Sequence, residues 1–362
     1  MKRTTSLDVA KRAGVSQATV SLILNSADHF AFSDDTRERV FEAVRTLDYR
    51  LPTRKKKAII KRTQMLLVLT PTLANPYYSE LVQTIESYAD ECGYRVIVCN
   101  TFRKSELERQ YLDTFAHNKV DGIIYTFLPS FPHIIEQFSK TVPTVIIGEK
   151  DEELAICSIE LSNVKAGALL AEYLCRLGHK RFAFISTPLK RLTMAREQRL
   201  QGMRAQFEAF GLKDCLEVVA PETSTENDAS PDNIPYEYAV GRLLTRQLIE
   251  GGSRATAFIG VNDLTAVGIV NELKAMGYAI PAQYSVCGYD NVFLSHISTP
   301  TLTTIDHHLT TRCRAAVDMV IAALDSSGEA PTPMVNKIEY VPQLIVRQST
   351  GPAPVKSGGI HP

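Results

Sequence analysis

Five side chains near the amino terminus have types that suit the reading of DNA. They are Ser16, Gln17, Ala18, Ser21 and Leu22. An amide such as that of Gln17 can bond bidentately to adenine, a methyl group such as that of Ala18 can contact thymine, and hydroxyl groups suit phosphate oxygens. Such side chains read base edges when they lie at the start of a helix that enters the major groove. The flanking sequence must therefore build and orient that helix.

A capping signal before this run predicts a first helix. Residues 5–8, Thr-Ser-Leu-Asp, have the form of a capping box, in which side chains satisfy free amides at a helix start. Leu7, Ala10 and Ala13 are spaced for one helical face. Because Gly14 can adopt the left-handed conformation that closes a helix, we expect the first helix to end there.

Two further helices are predicted to complete a helix-turn-helix. Ser16 can cap the second helix, and only Gly14 and Val15 separate it from the first, which favours a steep crossing. Ser33 and the acidic pair that follows it predict a third helix. The apolar residues expected between the helices are Val15, Val20, Leu24, Val40, Val44 and Leu47. Residues 1–49 are therefore expected to form an all-α head.

The net charge of zero hides an uneven distribution along the chain. Residues 1–63 carry fourteen Lys and Arg against seven Asp and Glu, so this segment is +7 and the remaining residues are −7. A basic head on an acidic body indicates a polyanionic partner that only the head contacts. The alternative is an ordinary solvated charged face, and the side chains described above favour the first interpretation.

The head resembles the opening signature of the lactose/galactose repressor family of bacterial transcriptional regulators. Residues 5–25, 36–40 and 47–49 carry the resemblance. It implies that Gln17 and Ala18 read bases, whereas Leu22 stands where many relatives carry a polar or basic base reader. It also implies a set of residues that touch or position the phosphate backbone: Thr5, Ser16, Thr19, Ser21, Asn25 and His29.

A basic segment follows the head. Residues 50–62 contain seven Lys and Arg and no acid, which predicts phosphate contact by Arg54, Lys55 and Lys56. The resemblance implies that residues 50–63 form a hinge helix on operator DNA, with Ile59 as an apolar wedge in the minor groove. The family pattern places Pro earlier and Asn after it, so a flexible basic linker remains the alternative.

The remaining chain predicts a doubly wound α/β domain over residues 64–350. Short apolar runs alternate with amphipathic helical stretches, as in parallel sheets covered on both faces. Lobe 1 is expected at about 64–161 plus 292–325, and lobe 2 at about 162–291 plus 326–348. The predicted strands are 65–70, 94–98, 122–125, 142–148, 181–186, 257–261 and 285–289. Two such lobes would leave a cleft at the carboxyl ends of their strands.

Polar residues interrupt the pattern at these strand ends. Four runs, 75–78, 199–202, 262–263 and 288–290, resemble sensing-domain signatures of the same repressors and of periplasmic sugar-binding proteins, which makes the domain periplasmic-binding-protein-like. The alternatives are that residues 262–263 cap a helix and that the tyrosines belong to the core. The resemblance implies these effector contacts: Arg199, Asn262 and Asp290 on hydroxyl groups, Tyr77 and Tyr78 on the first wall, and Glu149 beside them.

Several classes of protein are disfavoured by the sequence. We expect a cytoplasmic protein, because no signal peptide or apolar stretch long enough to span a membrane is present. Seven scattered cysteines without a CxxC pair indicate reduced thiols. There is no P-loop, GxGxxG turn, GxSxG or HExxH motif, and His307 and His308 are adjacent rather than spaced for one metal, so no enzymatic activity, metal or cofactor is expected.

These features predict a ligand-responsive repressor of a carbohydrate-utilisation operon. Residues 351–362 are expected to be a disordered tail without leucine heptads, which favours a homodimer on a pseudopalindromic operator. The effector is expected to be a sugar or a sugar derivative. A purine or a protein corepressor remains an alternative, as do a ligand-binding protein without DNA function and a sugar-modifying enzyme.

Overall fold

The computed structural model describes residues 5–25, 33–47, 49, 62–115, 120–150, 153–189, 194–222, 234–326 and 335–354. Its contacts divide the chain into two compact units, Met1–Lys61 and Arg62–Pro362. Within the described residues, no helix is both long enough and apolar enough to cross a membrane.

The first unit contains three helices: α1 (Ser6–Ala13), α2 (Gln17–Asn25) and α3 (Asp34–Thr46). The predicted capping box is present at α1, where the Asp8 carboxylate accepts hydrogen bonds from the Thr5 amide at 2.9 Å and from the Thr5 hydroxyl at 2.7 Å. Gly14 has φ 67° and ends α1, as its lack of a Cβ allows. The amide of Thr19 donates to the Ser16 hydroxyl at 3.1 Å, which caps α2. These features confirm the predicted helix-turn-helix.

The core of this unit differs from the sequence prediction at one residue. Leu7, predicted on the packed face of α1, is 48% exposed, whereas Val9 is fully buried. A 3.6-residue period places Val9 with Ala10 and Ala13 on the face toward the other helices, and Leu7 falls outside that stripe. The buried residues of this core are Val9, Ala10, Ala13, Val20, Val40 and Ala43.

Lobe 1 of the second unit is built on a six-stranded parallel sheet with the order β11-β5-β4-β3-β1-β2. Its strands are β1 (Met65–Thr70), β2 (Arg95–Asn100), β3 (Gly122–Tyr125), β4 (Thr144–Ile147), β5 (Cys157–Leu161) and β11 (Lys337–Tyr340). Its helices are α4 (Pro76–Glu91), α5 (Ser105–Phe115), α6 (Pro132–Ser139) and α12 (Leu309–Ser326). An apolar core lies on each face of the sheet, as the near-continuous apolar strands predict.

Lobe 2 is built on a four-stranded parallel sheet with the order β7-β6-β8-β9. Its strands are β6 (Phe182–Ile185), β7 (Leu216–Val219), β8 (Ala257–Gly260) and β9 (Ser285–Cys287). Its helices are α7 (Asn163–Arg176), α8 (Met194–Ala209), α9 (Tyr236–Glu250), α10 (Asp263–Ala275) and the short α11 (Phe293–Ile297). The predicted fold class, an all-α head and a two-lobed doubly wound α/β domain, is therefore confirmed.

The predicted lobe boundaries are wrong in the last third of the chain. Residues 292–306 were expected in lobe 1, but they continue lobe 2, because Leu302 and Ile305 are buried in its two cores. The segment after α12 was expected in lobe 2, yet β11 pairs in parallel with β5 of lobe 1. A two-stranded antiparallel sheet of β10 (Thr304–Asp306) and β12 (Gln343–Ile345) lies where the chain passes between the lobes.

The start of the tail is ordered, contrary to prediction. The Gly351 carbonyl lies 3.1 Å from both the His179 Nε2 atom and the Ser285 hydroxyl, and the Ala353 amide donates to the Leu177 carbonyl at 2.8 Å. These partners, remote in sequence, hold residues 351–354 against lobe 2. The remaining tail residues, 355–362, lie outside the described residues.

Candidate DNA-binding and effector-binding sites

The first turn of α2 presents two of the predicted DNA contacts to solvent. Ser16 and Gln17 are exposed. The Gln17 Nε2 atom donates to the Ser6 hydroxyl at 2.8 Å, and the hydroxyls of Ser16 and Thr19 are 2.9 Å apart. These polar groups therefore satisfy one another within the head, and an incoming base or phosphate would exchange one exposed partner for another.

The other predicted DNA contacts are described less fully. Thr5 is exposed at the start of α1. Ala18, Ser21, Leu22 and Asn25 lie in α2, of which the structure gives the helical backbone at these positions. Five further predicted contacts lie outside the described residues: His29, Arg54, Lys55, Lys56 and Ile59.

The second unit contains a cleft between its lobes with a volume of about 910 Å³, including its open mouth. All six residues predicted to contact an effector line this cleft: Tyr77, Tyr78, Glu149, Arg199, Asn262 and Asp290. Lobe 1 supplies the first three from α4 and from the end of β4, and lobe 2 supplies the others. The strand-end argument therefore brought together residues that are up to 213 positions apart in sequence.

Arg199 is held firmly on the lobe 2 side of the cleft. It is 8% exposed. Its Nε atom donates to the Asn163 side-chain oxygen at 2.8 Å and its Nη1 atom to the Val261 carbonyl at 2.5 Å. The guanidinium also lies over the Tyr289 ring, 4.6 Å from the centroid, where the ring face attracts a cation. One side chain on α8 is thus oriented by α7, β8 and β9.

Close packing of α7 on α8 sets the position of Arg199. A Cβ atom at Gly167 would lie 2.0 Å from the Arg199 carbonyl oxygen, and one at Gly202 would lie 2.0 Å from the Val164 carbonyl oxygen. The two helix backbones therefore approach closely only because both positions are glycine. The sequence predicted Arg199 from its motif but did not predict this contact.

Asp290 occupies a strained, buried position where β9 leads toward the hinge. Its φ is 120°, and it is 6% exposed. Burial raises its pKa to about 7, against the opposing effect of the Arg199 guanidinium and with a smaller contribution from Glu237. The His307 Nδ1 atom is 3.7 Å from its Oδ1 atom, and burial lowers the pKa of that imidazole. Asp290 can therefore act as a donor or as an acceptor near neutral pH.

Asn262 and Asp263 have structural roles, as the alternative interpretation proposed. Asn262 lines the cleft, but its side-chain oxygen accepts from the Thr265 amide at 2.9 Å and caps α10. Asp263 is fully buried and accepts from the Thr304 hydroxyl at 2.5 Å and from the Val292 amide at 3.1 Å. Burial and the nearby Asp290 raise the pKa of Asp263. This pair fixes the lobe 2 end of the cleft.

The lobe 1 wall combines aromatic rings with a buried carboxylate. The Tyr77 ring contacts the rings of Tyr78 and His307 edge-on, with centroids 5.2 Å and 5.7 Å apart. Glu149 accepts from the Asn163 amide at 3.0 Å through Oε1, while its Oε2 atom is buried without a hydrogen-bond partner in the described part of the chain. Burial raises the Glu149 pKa, so the carboxyl group is easily protonated.

Sequence reasoning missed several residues that line the cleft: Asn75, Arg103, Asn163, Arg196, Glu237, His307 and Arg312. The Asn75 side-chain amide donates to Glu237 Oε1 at 2.9 Å and so joins α4 of lobe 1 to α9 of lobe 2. Asn75 opens the same motif as Tyr77, which could have identified it. Arg312 is in phase with Ala316 and Val320, which are buried on α12, and a charge within an apolar stripe is a detectable signal.

Comparisons with known proteins agree with this architecture. Residues 5–51 match the family model of bacterial regulatory proteins of the lacI family, and residues 171–350 match a periplasmic binding protein-like domain. The chain is 31% identical to the ribose operon repressor of Escherichia coli over 352 residues, which cover 94% of this chain and 98% of the relative. It is 29% identical to the HTH-type transcriptional regulator DegA of Bacillus subtilis over 97% of this chain and 99% of that protein.

A solved structure gives the same result along nearly the whole chain. A lac repressor dimer bound to operator and the anti-inducer ONPF matches with a TM-score of 0.67 and 25% identity, covering 97% of this chain and all of that one. The resemblance in the head, the two-lobed body and the relatives' full-length coverage all lead to one assignment. The chain belongs to the lacI family of bacterial regulatory proteins and is a ligand-responsive, DNA-binding transcriptional repressor.

Proposed function

We propose that this protein represses a carbohydrate-utilisation operon and that a sugar or a sugar derivative binding in the cleft controls its affinity for operator DNA. The observation that carries this proposal is the convergence of all six expected effector residues on one cleft in a chain that also contains a helix-turn-helix. A relative named for the ribose operon supports a carbohydrate role. The protein is not an enzyme in this proposal.

In the DNA complex, the first turn of α2 reads base edges in the major groove. Gln17 leaves Ser6 and bonds to an adenine, Ala18 contacts a thymine methyl group, and the hydroxyls of Thr5, Ser16, Thr19 and Ser21 contact phosphates. Asn25, His29 and the basic residues Arg54, Lys55 and Lys56 add phosphate contacts, Ile59 enters the minor groove, and Leu22 alters base preference. Residues 1–49 and 50–63 thus serve as head and hinge.

The cleft binds an effector between opposing polar groups of the two lobes. Arg199, Asn262 and Asp290 grip hydroxyl groups from lobe 2, while Tyr77, Tyr78 and Glu149 contact the ligand from lobe 1. The hydrogen bond between Asn75 and Glu237 spans the same opening, so it favours a closed arrangement. An effector that binds the open and closed states with different affinity shifts their populations and thereby the spacing of two heads in a homodimer.

Duplex binding by the full chain tests this proposal. Operators selected from random duplexes should be pseudopalindromic, and their affinity should fall steeply as salt rises, because phosphate contacts release counterions. Gln17→Ala should lose about 1–3 kcal/mol of discrimination at one base pair of each half-site and keep the salt dependence. The exposed Glu42→Ala on α3 serves as a control that should retain discrimination. A single unpaired half-site bound by a monomer would contradict the proposal.

A regulator that responds to a purine or to a protein corepressor is the second candidate. The stacked aromatic wall of Tyr77 and Tyr78 would also suit a planar base. Sugars and nucleobases added to the same operator complex separate the candidates, since only the true effector changes the measured affinity. A ligand-binding protein without DNA function would show no duplex binding at all.

A further inference from the structure

The cleft contains a buried cation that its described surroundings do not neutralise. Arg312 lies in the first turn of α12 and is 3% exposed. Its Nη1 atom donates to the Tyr77 hydroxyl at 3.4 Å and its Nη2 atom to the Ile159 carbonyl at 3.2 Å, while its Nε atom is buried without a partner. Within the described residues, no carboxylate oxygen lies within 4.0 Å of this guanidinium.

Arg199, across the cleft, is in the same electrostatic state. Its partners are the neutral Asn163 and Val261 and the face of Tyr289, and it has no ion pair within the described part of the chain. Two guanidinium groups more than nine-tenths buried therefore line one cleft without a carboxylate in contact. A buried charge is strongly unfavourable unless a counter-charge is bound.

The carboxyl groups of the cleft do not supply that counter-charge. Glu237 accepts from Asn75, and Glu149 accepts from the Asn163 amide. Asp290 lies nearest to His307 rather than to either arginine, and burial favours its protonated form. The His307 Nε2 atom is also buried without a partner and lines the cleft, so two unused donors face the same space at the hinge.

We propose that the effector carries an acidic group, either a carboxylate or a phosphate ester, which Arg312 and His307 bind at the hinge side of the cleft. Arg199 holds the hydroxyl-bearing part of the same molecule. Fork-shaped guanidinium groups suit the planar oxygens of a carboxylate and the oxygens of a phosphate. This inference rests on the proposed function of the cleft as the effector site, and it narrows the effector from sugars in general to sugar acids or sugar phosphates.

Matched sets of neutral and charged sugars test the charge requirement. Thermal unfolding of the full chain is followed with glucose, gluconate, glucuronate and glucose 6-phosphate, and with ribose, ribonate and ribose 5-phosphate, at constant ionic strength. Only a charged member should raise the melting temperature, and whether the acid or the phosphate ester does so separates the two sources. Stabilisation by a neutral sugar at equal or lower concentration would overturn the inference.

Inorganic phosphate provides an arm that does not depend on guessing the sugar. At constant ionic strength, phosphate should stabilise the wild-type protein more than Arg312→Met, which keeps the side-chain volume and removes the charge. Arg314→Met is the matched control, because Arg314 lies on the same helix but is half-exposed beside Glu91. Its response to phosphate should equal that of the wild type, and the basic head is common to all three proteins.

The ligand-free variant distinguishes a binding role from a structural one. If Arg312 awaits an anion, Arg312→Met should unfold at the same or a higher temperature than the wild type while its affinity for the charged sugar falls about tenfold to a hundredfold. A lower melting temperature with an unchanged response to phosphate and to charged sugars would overturn the inference. If Arg312→Met does not fold, Arg312→Lys and His307→Gln replace it, and an unchanged charged-sugar affinity in both would again overturn it.

Operator binding in the same samples separates this inference from the proposed function. A charged sugar that binds through Arg312 without changing operator affinity supports the acidic subsite and contradicts effector control. A neutral sugar that changes operator affinity supports effector control and contradicts the acidic subsite.

Discussion

The head and the cleft present polar side chains to their ligands under opposite conditions. In the head, Ser16 and Gln17 are exposed, and their hydrogen-bond partners lie within a few residues or on the adjacent helix. In the cleft, Arg199, Asp290 and Arg312 are more than nine-tenths buried and depend on partners from several distant segments.

This difference implies different energetics for the two surfaces. A polar group in water exchanges one partner for another at little cost, so each head residue should act locally and weakly on stability. A buried charge is costly unless packed backbone or a ligand solvates it, so cleft residues should affect stability and binding together. Substitutions in each region can test whether this contrast is correct.

The largest effect is expected where helix packing positions a cleft residue. Gly167→Ala should lower the free energy of unfolding by about 3 kcal/mol or more, because the new Cβ would overlap the Arg199 carbonyl and force α7 and α8 apart. The same displacement should weaken effector binding by at least about tenfold, since one misplaced charge-assisted bond has that effect. Denaturant unfolding and effector titration measure the two quantities.

Gly241→Ala is the matched control for this prediction. A Cβ at Gly241 would lie 2.3 Å from the Thr265 carbonyl, so α9 and α10 would be forced apart to a similar degree. This variant should be similarly destabilised but should retain effector affinity in the folded protein, because Arg199 is on the other helix pair. Equal losses of affinity in both variants would show that the cleft responds to global stability and not to the position of Arg199.

An intermediate effect is expected from the buried carboxyl group of Asp290. Its pKa of about 7 in the folded chain lies above its ordinary value, so between about pH 4 and pH 7 the unfolded chain ionises while the folded chain stays protonated. Stability contributed by this group is therefore full at low pH and lost as pH rises through 7. Asp290→Asn should remove that loss and gain on the order of 2–3 kcal/mol relative to wild type between pH 5 and pH 8.

The measurement is the difference in unfolding free energy between variant and wild type at several pH values without effector. Other buried carboxyl groups with raised pKa values, Glu108, Glu149 and Asp263, contribute to both proteins and largely cancel in the difference. A difference that does not change with pH would mean that Asp290 is ionised in the folded state, and the contrast between cleft and head would be weaker than proposed.

The sequence predicted most of the fold because periodicity and caps are local signals. The capping box at Thr5, Gly14 and the Ser33 cap each depend on a few neighbouring residues, and all three are present in the structure. Buried parallel strands are equally visible as apolar runs. Leu7 was misplaced because an exposed leucine and a buried one have the same sequence pattern until the neighbouring helices are known.

The missed features depend on long-range pairing instead. β11 has exposed side chains and no apolar run, so nothing local indicated that it pairs with β5 across more than 170 residues. Glu237 and Arg312 enter the cleft from the middle of the chain's helical segments, where a charged residue usually faces water. Arg199, Asn262 and Asp290 were found because each belongs to a motif at a strand end or at a helix start.

The smallest effect is expected from a cap in the head. The Ser33 hydroxyl accepts from the Thr36 amide at 3.3 Å, so Ser33→Ala should destabilise α3 by about 1 kcal/mol and speed amide exchange in this helix about fivefold. Thr46→Ala, at the exposed end of α3, is the control and should change exchange there by less. Because the head's polar groups act locally, effector affinity should be unchanged in Ser33→Ala. If instead Ser33→Ala weakened effector binding as strongly as Gly167→Ala, the head and the cleft would share one stability, and the local character of the head's polar contacts would be refuted.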